Sequence, residues 1–183
     1  KYTTMERSKL IEFLKEKLLT NSVQYSKKVN KINSSDKNIE LIFDDHSSTV
    51  CDYLIVSDGV FSSTKSLLFN KQIKPKYFKS IAIRGTLKTK NLNNINQNNI
   101  SLFLGSNLHF VIYPLNKISN FNFIGILKKN LDKNDLNNPT LFEDKNFISS
   151  ILTNLSEKID KKIIDNLREI RCFPIFVSNQ IYE

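Results

Sequence analysis

The sequence predicts an α/β chain, with α+β character in its second lobe, and three observations carry that prediction. An amphipathic opening segment is followed by three short strand-like runs. An apolar run then closes on Asp58-Gly59 and a helix start, the form of a strand-to-helix corner. Beyond a basic, proline-bearing stretch come four alternating runs, two helical patterns and a last strand, the makings of a largely antiparallel sheet with helices.

The elements follow in order. Thr3-x-x-Glu6 has capping-box form, and Leu10, Leu14 and Leu18 fall on one helical stripe with Arg7 at its N-terminal end. Thr20-Asn21-Ser22 stops that helix. Runs 27–33 and 38–43 alternate and are joined by polar turns at 34–37 and 44–48, which reads as a meander. Run 49–56 ends in Tyr53-Leu54-Ile55-Val56 and is expected to be a strand buried on both faces, as in a parallel sheet. Ser57-Asp58-Gly59 ends it, and Ser62 or Ser63 opens a short helix. In open α/β sheets ligands gather at such strand ends, and a helix N-terminus favours anions.

The basic stretch 71–79, with Pro75, reads as a linker and divides the chain into lobes at 1–72 and 73–183. Strands are expected at 80–88, 100–104, 108–115 and 121–127, with loops at 91–99, 105–107 and 116–120 between them. Residues 130–138 are polar and read as loop. Helices are expected at 142–155 and 157–167, and a strand at 168–177. The chain opens on Lys1 without an initiator Met and stops at Glu183 with no closing element, so the expectation is the middle of a longer protein, incomplete at its C-terminus.

Composition excludes several classes. Lys and Arg exceed Asp and Glu by 27 − 18 = 9, but only Arg7, Arg84, Arg168 and Arg171 are arginines. The lysines are scattered among Asn and Ile, as on a solvated surface, and no aromatic-basic pattern of a nucleic-acid module accompanies them. No nucleic-acid partner is expected. No apolar run approaches the roughly 18 residues of a membrane helix, so no integral membrane span is expected. His46, among Asp and Ser residues, reads as solvated. Cys51 and Cys172 form neither a disulfide framework nor a zinc set. They read as buried thiols, no metal site is expected, and a cytoplasmic location follows.

Four places hold chemistry. Asp58 offers a carboxylate that accepts from a hydroxyl, and Gly59 allows close backbone approach. His109 and Tyr113 stand four apart on one strand and so face the same side. Arg84 sits within an apolar strand, and Arg7 at a helix start.

Three ordered stretches carry a resemblance. They are Arg7-x-x-Leu10-x-x-x-Leu14; Cys51-Asp52 through Asp58-Gly59-Val60-Phe61-Ser62; and Ile83-Arg84-Gly85 with Phe103-Leu104-Gly105, His109 to Leu115 and Asn122-Phe123-Ile124. Together they resemble the central region of the single-component FAD-dependent aromatic hydroxylases of the para-hydroxybenzoate hydroxylase superfamily, particularly the salicylate hydroxylase and 3-hydroxybenzoate 6-hydroxylase branch. The resemblance implies a partial FAD-binding, Rossmann-like lobe followed by a substrate-binding sheet domain. It implies a monooxygenase that hydroxylates a small phenolic substrate with NAD(P)H and O2 through a flavin hydroperoxide.

By that resemblance Arg7, Asp58, Gly59 and Ser62 contact FAD, and Arg84 faces a substrate carboxylate or the flavin edge. A phenolate is a far better nucleophile than a phenol, so a base near the phenol oxygen is needed, and histidine, with an ordinary pKa of about 6.5, suits that task. The resemblance places His109 there, with Tyr113 as its orienting hydroxyl.

The family pattern has Gly-Ala where Val56-Ser57 stand and Val-Arg where Thr64-Lys65 stand, with Lys65 keeping the charge. Neither the GxGxxG fingerprint nor a later Gly-Asp motif is present: Gly59, Gly85, Gly105 and Gly125 stand too far apart. The chain alone is therefore expected to hold FAD weakly and to be inactive by itself. Three alternatives remain: a ubiquinone-biosynthesis-type phenol hydroxylase of the same superfamily, a non-catalytic flavin- or ligand-binding relative, and a basic nucleic-acid binder. Association into homo-oligomers is left open.

Overall fold

The computed structural model describes residues 4–88, 95, 96, 98–115, 120–157 and 159–178. Thr3 of the expected capping box, most of the 91–99 loop and residues 116–119 lie outside them. The chain forms two compact units, one of residues 1–14 with 77–175, the other of residues 15–76 with 176–183.

Helix α1 (Arg7–Glu16) forms where the leucine spacing predicts it. It stops one turn earlier than the pattern: Leu18 N–H donates to the Lys15 carbonyl, and Asn21 takes a left-handed φ of 67°. Leu10 and Leu14 are largely exposed.

The smaller unit is a three-stranded antiparallel meander, β1 (Val29–Ser34), β2 (Ile39–Phe43) and β3 (Ser48–Cys51), in that order. Its second turn is tied by Lys27, whose ammonium donates to Asp45 Oδ2 at 2.5 Å and Ser47 Oγ at 2.7 Å. His46 is exposed at this turn with φ 64°.

Hydrogen bonds from the Lys27 ammonium and from Ser47 hold the Asp45 carboxyl far below the ordinary carboxylate range. A group depressed on folding contributes stability above its unfolded pKa of ~3.9 and loses it as pH falls below that value. Acid unfolding below about pH 4 should therefore soften in Asp45→Asn relative to wild type, followed by circular dichroism against pH. An acid limb of equal steepness in the variant would contradict this.

The expected strand over 49–56 is corrected. Pairing ends at Cys51, opposite Ile39, because β2 begins there and offers no partner beyond it. Residues 52–60 carry no regular element up to the turn at Val60, and Tyr53 and Ile55 are 88% and 87% exposed. An apolar run becomes a strand only beside another strand, and none of the described strands pairs with it. Helix α2 (Ser63–Leu68) follows as expected, capped by Ser62.

The larger unit is a five-stranded sheet. β4 (Lys76–Lys88), β5 (Ser101–Leu104), β6 (Leu108–Pro114), β7 (Asn120–Lys128) and β8 (Leu167–Val177) lie in the order β5-β6-β7-β4-β8. The neighbours β5-β6, β6-β7 and β7-β4 are antiparallel. β4 begins at Lys76, so the linker is shorter than the basic stretch suggested. Pro174 lies in β8, an edge strand, the place in a sheet where proline is tolerated.

One face of this sheet is the core. Leu108, Phe110 and Ile112 of β6 alternate inward, as do Phe121 and Phe123 of β7 and Ile81, Ile83 and Leu87 of β4. Phe103, Phe110 and Phe123 stack across strands at centroid distances of 4.3 and 5.7 Å. At Gly85 a Cβ would lie 3.0 Å from the Arg168 carbonyl of β8, so glycine permits that strand to come close.

Helix α4 (Lys145–Ser156) supplies Ile151 and Leu155 to the core, and α5 (Lys161–Asp165) supplies Ile163 and Ile164. The second expected helix is thus only five residues long. Asp160 caps it by accepting from Lys162 N–H at 2.9 Å, which restarts the helix rather than continuing α4. Helix α3 (Lys133–Asn137) stands where a polar loop was expected: Asp132 and Asp135 close a reciprocal capping box. Cys172 is buried, and burial pushes its thiol up to about 11; Cys51 is half-buried, and both thiols are unpaired.

Candidate functional site

Alternation assigns each strand residue to a face, and registry joins faces across strands. His109 stands opposite Leu104 of β5 and Ile126 of β7, and Ile126 opposite Ala82 of β4. Two residues along β6, Val111 stands opposite Ile124, which stands opposite Arg84. Two residues further, Tyr113 stands opposite Asn122, which stands opposite Thr86. All of these are on the face away from the core.

The structure therefore brings His109, Tyr113 and Arg84 onto one face of one sheet, around an apolar centre of Val111 and Ile124. By strand geometry His109 and Tyr113 are roughly 13 Å apart along β6, with Arg84 roughly 10 Å across from Val111 between their levels. His109 is exposed, and Tyr113 is half-buried.

The Arg84 guanidinium lies 5.7 Å from the Phe173 ring centroid, a cation–π contact that steadies it. The Tyr113 hydroxyl accepts from Asn122 Nδ2 at 2.8 Å. Tyr113 thus has a partner other than His109, the residue it was expected to orient. Asn122 was visible in the sequence as a polar residue between two buried phenylalanines, but its place beside Tyr113 depends on strand registry, which sequence does not specify.

The Asp58 corner is in the other unit. Gly59 has φ 85° and open space within 4 Å of where a Cβ would stand. Its carbonyl accepts from Ser62 N–H at 3.3 Å, closing the turn. Ser62 is buried, and its hydroxyl accepts from Lys65 N–H at 3.0 Å. Asp58 Oδ2 accepts from Thr64 N–H at 3.4 Å. Partial burial raises the Asp58 carboxyl, but hydrogen bonds from Ser62 and Thr64 outweigh it and hold the group below its ordinary value. Asp58, Gly59 and Ser62 are thus one assembled corner.

Arg7 is exposed in the first turn of α1, three residues after Thr4, whose hydroxyl donates to the Pro114 carbonyl at 2.6 Å. That tether fixes the segment before Arg7 to the Tyr113 end of β6. No cluster of three or more metal-ligating side chains, and no helix long and apolar enough to cross a membrane, occurs among the described residues.

No family model and no curated protein matches the chain. Solved structures do. HpxO of Klebsiella pneumoniae, in complex with FAD, is similar over 93% of this chain and 44% of its own, with a TM-score of 0.69 and 17% identity. A salicylate hydroxylase in a substrate complex covers 93% of this chain and 45% of its own, with a TM-score of 0.66 and 16% identity. The 2,6-dihydroxypyridine-3-hydroxylase of Arthrobacter nicotinovorans covers 82% and 44%, with a TM-score of 0.57 and 13% identity.

The chain shares the fold of the corresponding part of these three proteins. The chain spans less than half the length of each of these three proteins.

The open, left-handed Gly59 leaves room for a close sugar or phosphate group, and the Asp58 carboxylate can accept from a hydroxyl. The glycine-rich pyrophosphate turn is not among this chain's residues.

Proposed function

We propose that this chain is the central part of an FAD-dependent monooxygenase that hydroxylates a phenolic substrate with NAD(P)H and O2. The observation that carries this reading is the gathering of His109, Tyr113 and Arg84 around an apolar centre on one sheet face, in a fold shared with FAD-dependent hydroxylases. FAD, when bound, would supply reduced flavin able to activate oxygen.

The chain's own residues supply the rest. Val111 and Ile124 support an aromatic ring. His109 accepts the phenol proton, which turns the ring into a better nucleophile. Tyr113 and Arg84 fix the ring's polar substituents, and Arg84 suits a carboxylate. Asp58 and Gly59 hold the ribose and pyrophosphate side of FAD, with Ser62 shaping that corner; Arg7 is a separate cationic contact for the cofactor. A reducing compartment fits the unpaired thiols.

Asp58→Ala in the intact protein should weaken FAD binding roughly 10- to 100-fold, the scale of one charge-assisted hydrogen bond. Flavin absorbance after gel filtration reads this directly. Occupancy equal to wild type would remove Asp58 from the cofactor site.

A further inference from the structure

One row of polar side chains on the second face of the sheet extends beyond the three residues named so far. Tyr113 of β6 stands opposite Asn122 of β7, and Asn122 opposite Thr86 of β4. Asn122 Nδ2 donates to the Tyr113 oxygen at 2.8 Å. Thr86 Oγ1 donates to Glu169 Oε2 of β8 at 3.1 Å. The row crosses four neighbouring strands. At its end Glu169 holds a φ of 52°, a left-handed conformation that a residue with a side chain enters only at a cost.

A tyrosine hydroxyl has one proton to give and lone pairs with which to accept. With the Asn122 amide occupying its acceptor side, the Tyr113 proton is left for another partner, and a donor on the oxygen polarises that O–H. Thr86 is engaged with Glu169, so it offers its proton there rather than to Asn122.

We infer that Asn122 is a positioning residue that commits Tyr113 to donate, so that the ligand on this face presents an acceptor oxygen, a carboxylate or carbonyl, to Tyr113. The inference rests on the reading of this face as the substrate surface. Asn122 acts through Tyr113 and touches no reacting atom.

The test uses two probes of matched size, 3-hydroxybenzoate and 3-methylphenol, with the intact FAD-loaded protein. Asn122→Leu should raise KM for 3-hydroxybenzoate roughly 3- to 10-fold, the scale of one neutral hydrogen bond, and leave that for 3-methylphenol within twofold, with kcat little changed for both. Asn122→Asp, which accepts the Tyr113 proton, should raise it at least as far. Equal changes for the two probes would overturn the inference.

A second readout is independent of turnover. The Asn122 side-chain amide resonances in the ¹⁵N-labelled protein should shift on Tyr113→Phe, and again on adding 3-hydroxybenzoate but not 3-methylphenol. Unmoved resonances would overturn the inference. Wild-type protein that turns over neither probe would count against the proposed function, and the amide resonances would then decide the role of Asn122 alone.

Discussion

With His109 as the base of the proposed hydroxylation, its replacement by alanine should lower kcat of the intact protein by about 10²- to 10⁴-fold, the usual contribution of a positioned base. The imidazole is exposed on the second face of the five-stranded sheet, one corner of the triangle it forms with Tyr113 and Arg84. The second histidine, His46, sits in an exposed turn of the other unit. The loss should fall on kcat more than on KM, because apolar support from Val111 and Ile124 remains. Added imidazole should restore part of the rate. Stopped-flow or steady-state oxidation of NAD(P)H with a phenol present checks this, and a variant as fast as wild type at every pH would refute the assignment.

Phe123→Ala should destabilise the larger unit by about 3–5 kcal/mol, the range for emptying a buried phenylalanine site. Phe123 is fully buried, stacks at 5.7 Å on Phe110 and lies 3.3 Å from where a Gly125 Cβ would be. Its neighbours are strand-bound and cannot collapse into the space. Phe78→Ala in β4 of the same unit supplies the contrast: that ring is 60% exposed, and surface changes usually stay within about 0.5 kcal/mol. Urea unfolding of both variants measures the difference. Equal midpoints would mean that the aromatic stack is not the centre of this core.

Much of the larger unit was legible in the sequence. The alternation of β6 and β7 was strong enough to place both strands and to put His109 and Tyr113 on one side. The apolar spacing over 142–155 likewise placed a helix where α4 forms. Helix α3 was hidden because it has no apolar stripe, and its only signal is the Asp132–Asp135 pair. The run at 52–56 misled for a different reason. Four apolar residues say that a segment prefers burial, but only a neighbouring strand makes it a strand, and β2 has no residue before Ile39 to pair with it.

The candidate site divides the same way. Asp58, Gly59 and Ser62 are near neighbours in sequence, so a local turn brings them together and a local reading finds them. Arg84 reaches the face of His109 and Tyr113 only through two strand pairings. Asn122 and Thr86 depend on the same registry, and Glu169 on an edge-strand placement that no local pattern indicates.

Hydroxylation under ¹⁸O2 shows directly whether the protein is a monooxygenase. The intact, FAD-loaded protein is given NAD(P)H and a phenol, and the product is analysed by mass spectrometry. One ¹⁸O atom should be added to the aromatic ring for each NAD(P)H consumed, and that product should be lost in His109→Ala. Oxidation of NAD(P)H that yields only peroxide, with no oxygen in the ring for any phenol, would contradict the proposed function.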